Sequence, residues 1–183
     1  MVEDIDRVPK PITPGPEMAA LARFHADATW DGIIEEGGMG PGTPEMTATG
    51  RGTHEEIQDG RWIVGTYQQD QFLPDGTFVL RWQLHWVAGW DPRNGEYRAT
   101  IADNYGRTDV LHGWIDGDRL TFESIGDAPV RIRLVWDRSD PATMTWRNEA
   151  SVGGAPWSLI EEYRLTPMVR GPTREVHAPT RTS

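Results

Sequence analysis

The sequence predicts an all-β protein: a single closed antiparallel meander β-barrel of about 8–10 strands with one short N-terminal helix. Three observations lead to this prediction. Every even position of residues 78–90, FVLRWQLHWVAGW, carries an apolar side chain, a period that is typical of a strand with one buried face. Glycine-containing turn dipeptides divide most of the remaining chain into similar segments. Only residues 16–25 show a good helical pattern.

The chain divides into three parts. Residues 1–15 are rich in proline and charge, and we expect a disordered arm. In the helix that follows, Pro16 suits the first turn and Glu17 complements the helix dipole. The barrel is predicted over residues 16–167, with the helix covering or flanking it. Residues 168–183 are predicted to form a second disordered segment.

Ten candidate strands follow the helix, and tight-turn dipeptides such as Asn94-Gly95 and Asp116-Gly117 separate several of them. Consecutive hairpins make a meander, and closure into a barrel removes its unpaired edges. The Gly/Pro-rich loop 37–44 is either a spacer or a lid. The candidate strands are residues 27–36, 46–57, 61–72, 77–90, 97–104, 108–115, 119–125, 129–137, 143–151 and 156–166.

Composition excludes several classes of function. The chain has 183 residues, a formal net charge of −10 and no cysteine, which excludes disulfides and thiolate metal sites. It has no basic stripe for nucleic acid and no apolar run long enough for a transmembrane helix. The N-terminus has no secretory h-region, so a cytoplasmic protein is expected. No metal-binding or nucleotide-binding motif is present, and we expect no cofactor.

Alternation assigns the inner face of each strand. The predicted inner faces carry a few polar residues among many apolar ones: Asp103, Asn148, Glu161 and, on the even face of strand 108–115, His112. The odd face of strand 108–115 is almost as apolar, and both faces of strand 61–72 remain candidates. In strand 156–166, Trp157 and Leu159 are predicted to point inward.

Polar groups on an apolar inner face are candidates for chemistry, because a buried carboxylate must be paired, hydrogen-bonded or protonated. Glu161 and Asp103 are the candidate catalytic acids. Their structural alternatives are an ion pair with an arginine for Glu161 and a turn-stabilising role for Asp103. The candidate ligand-binding residues are Trp82, Trp86, Trp146, Asn148, Tyr67, Tyr105 and His112. The alternative for Asn148 is a hydrogen bond to a neighbouring side chain, and for the others it is core packing or a position at the surface or barrel rim.

Five short motifs in a fixed order carry a family resemblance over roughly residues 18–166. They are Thr29-Trp30-Asp31-Gly32, Gly89-Trp90-Asp91-Pro92, Asn94-Gly95, Ala102-Asp103-Asn104 and Glu162-Tyr163-Arg164. The chain resembles the lipocalin-like, calycin-type barrels, and more narrowly a widespread bacterial family of barrel proteins of unknown function. The resemblance implies a β-barrel with an internal cavity and provides no catalytic residues. Trp82 and Trp86 make the long strand more aromatic than in such relatives, which favours a specialised ligand.

The leading functional hypothesis is an enzyme of biosynthesis. The barrel would bind a small, largely hydrophobic organic molecule and promote a cofactor-free cyclisation or isomerisation by pre-organisation and acid/base assistance. One alternative is a non-catalytic carrier or sensor of a hydrophobic ligand. Another is a structural barrel with a filled core. Pairing into a homodimer through an exposed sheet face also stays open.

Overall fold

The computed structural model describes residues 13–168 and contains one helix and ten strands within them. Most of the predicted arm 1–15 and of the predicted tail 168–183 lies outside the described residues. The elements are α1 (Pro16–Ala22), β1 (Ala28–Ile34), β2 (Met46–Ile57), β3 (Trp62–Phe72), β4 (Phe78–Asp91), β5 (Glu96–Asp103), β6 (Thr108–Asp116), β7 (Arg119–Ser124), β8 (Val130–Asp140), β9 (Thr143–Val152) and β10 (Ser158–Pro167).

The strands form one closed barrel in which every neighbour along the chain is also a neighbour in space. All pairs are antiparallel, and β1 closes the sheet by pairing with β10 as well as with β2. The predicted all-β meander barrel is therefore confirmed, with ten strands. No helix among residues 13–168 is long and apolar enough to cross a bilayer.

Helix α1 covers one end of the barrel, which we call the plugged end. Met18, Leu21 and Phe24 are buried there, and the Tyr97 hydroxyl donates a hydrogen bond to the carbonyl of Glu17 at 3.0 Å. The helix begins at Pro16, as predicted, but it ends at Ala22 rather than continuing to residue 25. We call the opposite end, where loops 35–45, 73–77, 104–107, 125–129 and 153–157 join the strands, the mouth.

Aromatic side chains fill the barrel from the plugged end to its middle. Trp136 stacks on Trp146 at 5.8 Å and on Trp86 at 5.4 Å between ring centroids. Glycines opposite the rings leave the space that these rings need. A Cβ atom at Gly65 would lie 2.2 Å from Trp86, and one at Gly50 would lie 2.3 Å from the Trp30 indole. This interior is a packed core in which large rings alternate with glycine.

The structure decides the inner face of β6, which the sequence left open, and corrects part of the inner face predicted for β10. In β6 the odd residues point inward, because Leu111 is fully buried and Gly113 makes room for the Phe122 ring; His112 therefore lies on the outer face. In β10 the register shifts between Leu159 and Glu161. Such a shift moves the preceding side chains to the opposite face, so Leu159 is exposed. Strand β10 starts at residue 158, and Trp157 lies before it.

The outer face of strands β5 to β9 carries a row of charged and titratable side chains. Arg98, His112, Glu123, Arg133 and Glu149 are successive Cα partners across the five strands. Arg133 bonds Glu123 at 2.7 Å and Glu149 at 3.0 Å. Ion pairs of opposite charge directly across neighbouring strands stabilise a sheet modestly.

Candidate functional site

Glu161 is a buried carboxyl group on the inner face near the mouth. It shares the inner face of β10 with Tyr163 and Leu165 and lies opposite Asn148 on β9. The Asn148 amide Nδ2 donates to Glu161 Oε1, and the Tyr163 hydroxyl donates to Glu161 Oε2. Burial raises the pKa of Glu161 and outweighs the lowering effect of these hydrogen bonds. A carboxyl whose pKa is raised inside an apolar barrel is suited to proton transfer.

A hydrogen-bond chain extends from Glu161 across the barrel. Gln69 Nε2 donates to the Tyr163 hydroxyl at 2.9 Å, and Trp30 Nε1 donates to Gln69 Oε1 at 2.9 Å. Burial, followed by the charge of Glu161, raises the pKa of Tyr163, so this hydroxyl stays protonated. The chain joins strands β1, β3 and β10 and fixes the Glu161 side chain in one orientation.

The oxygen of the Asn148 amide is the unsatisfied group of this cluster. Asn148 Oδ1 is buried and accepts no hydrogen bond from residues 13–168. Asn148 and Glu161 are each 8% exposed, against 1% for Tyr163, so both lie closer to solvent at the mouth. An unpaired acceptor beside a carboxyl of raised pKa is an arrangement that a ligand could complete.

Asp103, the second predicted acid, also points inward near the mouth, but its oxygens are occupied. It accepts hydrogen bonds from Arg107 Nε at 2.7 Å, from the backbone N–H of Tyr105 at 2.9 Å and from Trp82 Nε1 at 3.2 Å. Burial raises the pKa of Asp103, but the hydrogen bonds from Arg107 and Trp82 outweigh it and lower the pKa. The structure therefore holds Asp103 as a carboxylate that stabilises the 103–107 turn.

The three candidate pocket tryptophans have different environments. Trp86 and Trp146 are 1% and 2% exposed and belong to the stacked aromatic core. Trp82 is partly buried and packs against that core from the mouth side, next to Asp103. Of the three, only Trp82 is placed to contact a molecule at the mouth without repacking the barrel.

The remaining candidate ligand residues do not come together with Glu161. Tyr67 is buried, and its hydroxyl lies 2.9 Å from His54 Nε2; burial raises the pKa of Tyr67. Tyr105 is 53% exposed in the 103–107 turn, beside the Arg107 guanidinium. His112 lies on the outer face, where its Nδ1 is 3.5 Å from Glu96. Of the predicted site residues, Glu161 and Asn148 are in direct contact, and Trp82 lies towards the mouth against Asp103.

Sequence reasoning missed His25, which is buried under α1. Its ring contacts Trp86 at 4.6 Å and stacks on His54 at 5.2 Å between centroids. Neither ring nitrogen has a hydrogen-bond partner among residues 13–168. Burial, and secondarily the charge of His54, lowers the pKa of His25 well below its usual value. The sequence signal that could have indicated its burial is the apolar helical stripe that His25 shares with Met18 and Leu21.

Gln69 is a second buried polar residue that was not predicted, because the sequence left both faces of strand 61–72 as candidates for the inner face. The structure turns Ile63, Gly65 and Tyr67 inward, and Gln69 follows on the same face with 1% exposure. The described residues contain no group of three or more histidine or acidic side chains placed to hold a metal ion.

The comparisons with known proteins concern the fold. No curated protein sequence matches the chain. Among 16 solved chains that do match, the crystal structure of Rv2717c from M. tuberculosis has a TM-score of 0.57 and 16% sequence identity, covering 85% of this chain and 99% of that chain. At this identity the likeness shows the fold alone. A family model described as protein of unknown function DUF1579 matches residues 13–154. The chain therefore belongs to the DUF1579 family.

Proposed function

We propose that this barrel, of a lipocalin-like type, binds a small, largely apolar organic molecule at its mouth and promotes a cofactor-free isomerisation or cyclisation of it. The observation that carries the proposal is Glu161, a buried carboxyl of raised pKa next to the unpaired oxygen of Asn148. In this proposal Glu161 donates or accepts the proton, Asn148 orients a polar group, and Trp82 packs on the apolar body of the ligand.

The surroundings of Glu161 suit a proton-transfer role. Tyr163 and Gln69 hold the carboxyl in place through hydrogen bonds from within the barrel, so little reorganisation is needed when a proton moves. A rigid aromatic wall would restrict the conformers of a flexible substrate, which lowers a barrier by several kcal/mol in favourable cases.

A second candidate function is a non-catalytic carrier of the same kind of ligand. The observation that favours it is the ion pair between Asp103 and Arg107. Among residues 13–168, this pair leaves Glu161 as the one inward acid near the mouth without an arginine partner. A single acid can bind a ligand without transforming it. The packed aromatic core also leaves the mouth as the region for binding.

Binding at the mouth is tested by titrating the protein with the fluorescent apolar amine 1-aminoanthracene. We expect a Trp82→Ala variant to bind at least about tenfold more weakly, since lost indole contact of about 1.4 kcal/mol corresponds to this factor. Trp114→Ala is the matched control, because Trp114 is 42% exposed on the outer face. Equal affinity of the Trp82 variant and the wild type would place the ligand elsewhere.

Catalysis is tested separately from binding. Mass spectrometry of small molecules that co-purify with the full chain provides a candidate substrate, and its conversion is followed with wild type and Glu161→Gln. We expect the variant to bind this molecule within about threefold of wild type and to lose turnover. Binding without turnover by the wild type would favour the carrier, and unchanged turnover by Glu161→Gln would exclude acid/base catalysis by this residue.

A further inference from the structure

A pocket lies on the outer face of the barrel and shares no lining residue with Glu161, Asn148 and Trp82, which we call the mouth cluster. It has a volume of about 300 Å³ and is bordered by Glu96 and Arg98 of β5, His112 of β6 and Arg131 of β8. We call it the arginine pocket. Its volume is at the lower end of the range for small-molecule sites, so it fits one compact group better than a whole drug-sized ligand.

The lining of the arginine pocket carries two arginines and one glutamate, and Asp109 accepts a hydrogen bond from Ser124 of the lining. Four arginines and three glutamates on this face form two groups of ion pairs, which together we call the network. Glu96 pairs with Arg98 and faces His112, and the other two glutamates pair with the other three arginines. The whole chain, in contrast, has a formal net charge of −10. The network consists of Arg98, Arg131, Arg133, Arg147, Glu96, Glu123 and Glu149.

Arg131 has a long ion pair, second in length only to the 3.7 Å pair of Arg147 with Glu149 in this network. Its Nη2 is 3.5 Å from Glu123, while the same carboxylate bonds Arg133 at 2.7 Å. The Arg131 guanidinium also lies 5.4 Å from the Trp157 ring centroid, which holds the side chain over the sheet. Within residues 13–168, the buried Nε atoms of Arg98 and Arg131 donate to no acceptor, and the ion pairs of both side chains run through Nη2. Two guanidinium groups, each ion-paired through only one of its nitrogens, therefore border one pocket.

We propose that the arginine pocket binds an oxyanion, the carboxylate or phosphate group of a small molecule, between the guanidinium groups of Arg98 and Arg131. Guanidinium is planar and presents donors in a fork that matches both kinds of oxyanion. The imidazole of His112 supplies a third donor from the neighbouring strand. Side chains of Arg98 and Arg131 are 31% and 36% exposed, so the anion reaches them without opening the barrel.

The proposal is independent of the mouth cluster, because none of its residues contacts Glu161 or Trp82 in the hydrogen bonds described above. It is tested with the full chain by ¹H–¹⁵N NMR, following the arginine Nε–Hε signals during titration with inorganic phosphate and, separately, with benzoate. We expect saturable shifts of the Arg98 and Arg131 signals, with dissociation constants below about 10 mM for at least one anion. The tighter anion identifies the group that the pocket takes.

Three variants decide the outcome. Arg131→Gln should weaken binding by about tenfold, the effect of one charge-assisted hydrogen bond, and Arg131→Lys should recover only part of it. Arg164→Gln, on the exposed face of β10, removes the same charge elsewhere and should leave affinity unchanged. Equal weakening in Arg164→Gln and Arg131→Gln would show non-specific attraction and overturn the proposal. Absence of saturable shifts with both anions would also overturn it.

Discussion

Replacing Gly65 by alanine tests whether the aromatic core depends on glycines opposite its rings. A Cβ atom at Gly65 would lie 2.2 Å from Trp86 Cδ1 and 2.3 Å from Trp86 Nε1. Ordinary contact begins near 3.4 Å, so the indole would have to move by about 1 Å. The Trp86 indole cannot move freely, because Trp136 and Phe122 each lie 5.4 Å from it between ring centroids.

We expect Gly65→Ala to destabilise the protein by about 1–3 kcal/mol, the range for added volume in a packed core. The sign should reverse when the ring is removed. In a Trp86→Leu background the methyl group has space, and alanine in a strand is about 0.5–1 kcal/mol more favourable than glycine. The assay is urea unfolding followed by circular dichroism, with all four proteins of the double-mutant cycle.

A neighbouring variant controls for the change in the strand itself. Thr66→Ala alters the next residue of β3 on the exposed face and should shift the unfolding free energy by less than about 0.5 kcal/mol. If Gly65→Ala costs the same free energy with and without the Trp86 ring, the clash with the indole is not the cause. That result would refute the pairing of glycines with aromatic rings as a packing rule of this barrel.

Three further predictions concern titratable groups. The lowered pKa of His25 means that the unfolded state binds more protons below about pH 6.5, so stability should fall as the pH drops from about 7 to about 5. In urea unfolding, His25→Phe should reduce the dependence of the unfolding free energy on pH. The raised pKa of Glu161 means that the native state binds more protons than the unfolded state, so stability should fall as the pH rises above the ordinary pKa of 4.5. Glu161→Gln should therefore gain stability relative to wild type at alkaline pH, by about 1.4 kcal/mol for each pH unit by which the pKa of Glu161 is raised. Asp103→Ala should lower the unfolding free energy by about 1–3 kcal/mol, because the Tyr105 and Arg107 backbone N–H groups lose their acceptor.

Each of these predictions has a contradicting result. An identical pH slope in wild type and His25→Phe would show that the buried imidazole does not control acid stability. A Glu161→Gln variant that parallels wild type from about pH 5 to about pH 8 would mean that the carboxyl titrates normally. An Asp103→Ala variant as stable as wild type would show that the 103–107 turn does not need its carboxylate.

The fold was predictable because its signals are local. Alternation over residues 78–90 and dipeptides such as Asn94-Gly95 each act within a few residues, and a meander joins neighbours along the chain, so local signals suffice to order the strands. Which face of each strand points inward was harder to predict. Both faces of β6 are apolar in sequence, and packing of Phe122 against Gly113 decides between them. The register shift before Glu161 has no local signal, yet it exposes Leu159.

The candidate site was predictable in part. An acid at position 161 and an amide at position 148 stand out on apolar faces, and the structure brings the two side chains into hydrogen-bond contact. Pairing of Asp103 with Arg107 depends on turn geometry, which the sequence suggested only as an alternative. Burial of His25 depends on how far α1 extends before the chain turns into β1. The arginine pocket combines residues from separate strands and has no sequence motif.

Closure of the barrel brings the two ends of the described sheet together. Ala28 and Pro167 are Cα partners, and the Met168 N–H donates to the Asp27 carbonyl at 2.8 Å. Every other strand pair is a hairpin, so the β1–β10 pair alone requires a loop that spans the whole sheet, and it carries the largest loop-closure entropy. Sequence separation of contacts slows folding. A circular permutant that joins the chain across the β1–β10 seam and opens it within a mouth loop should therefore form a barrel of the same architecture with an altered folding rate.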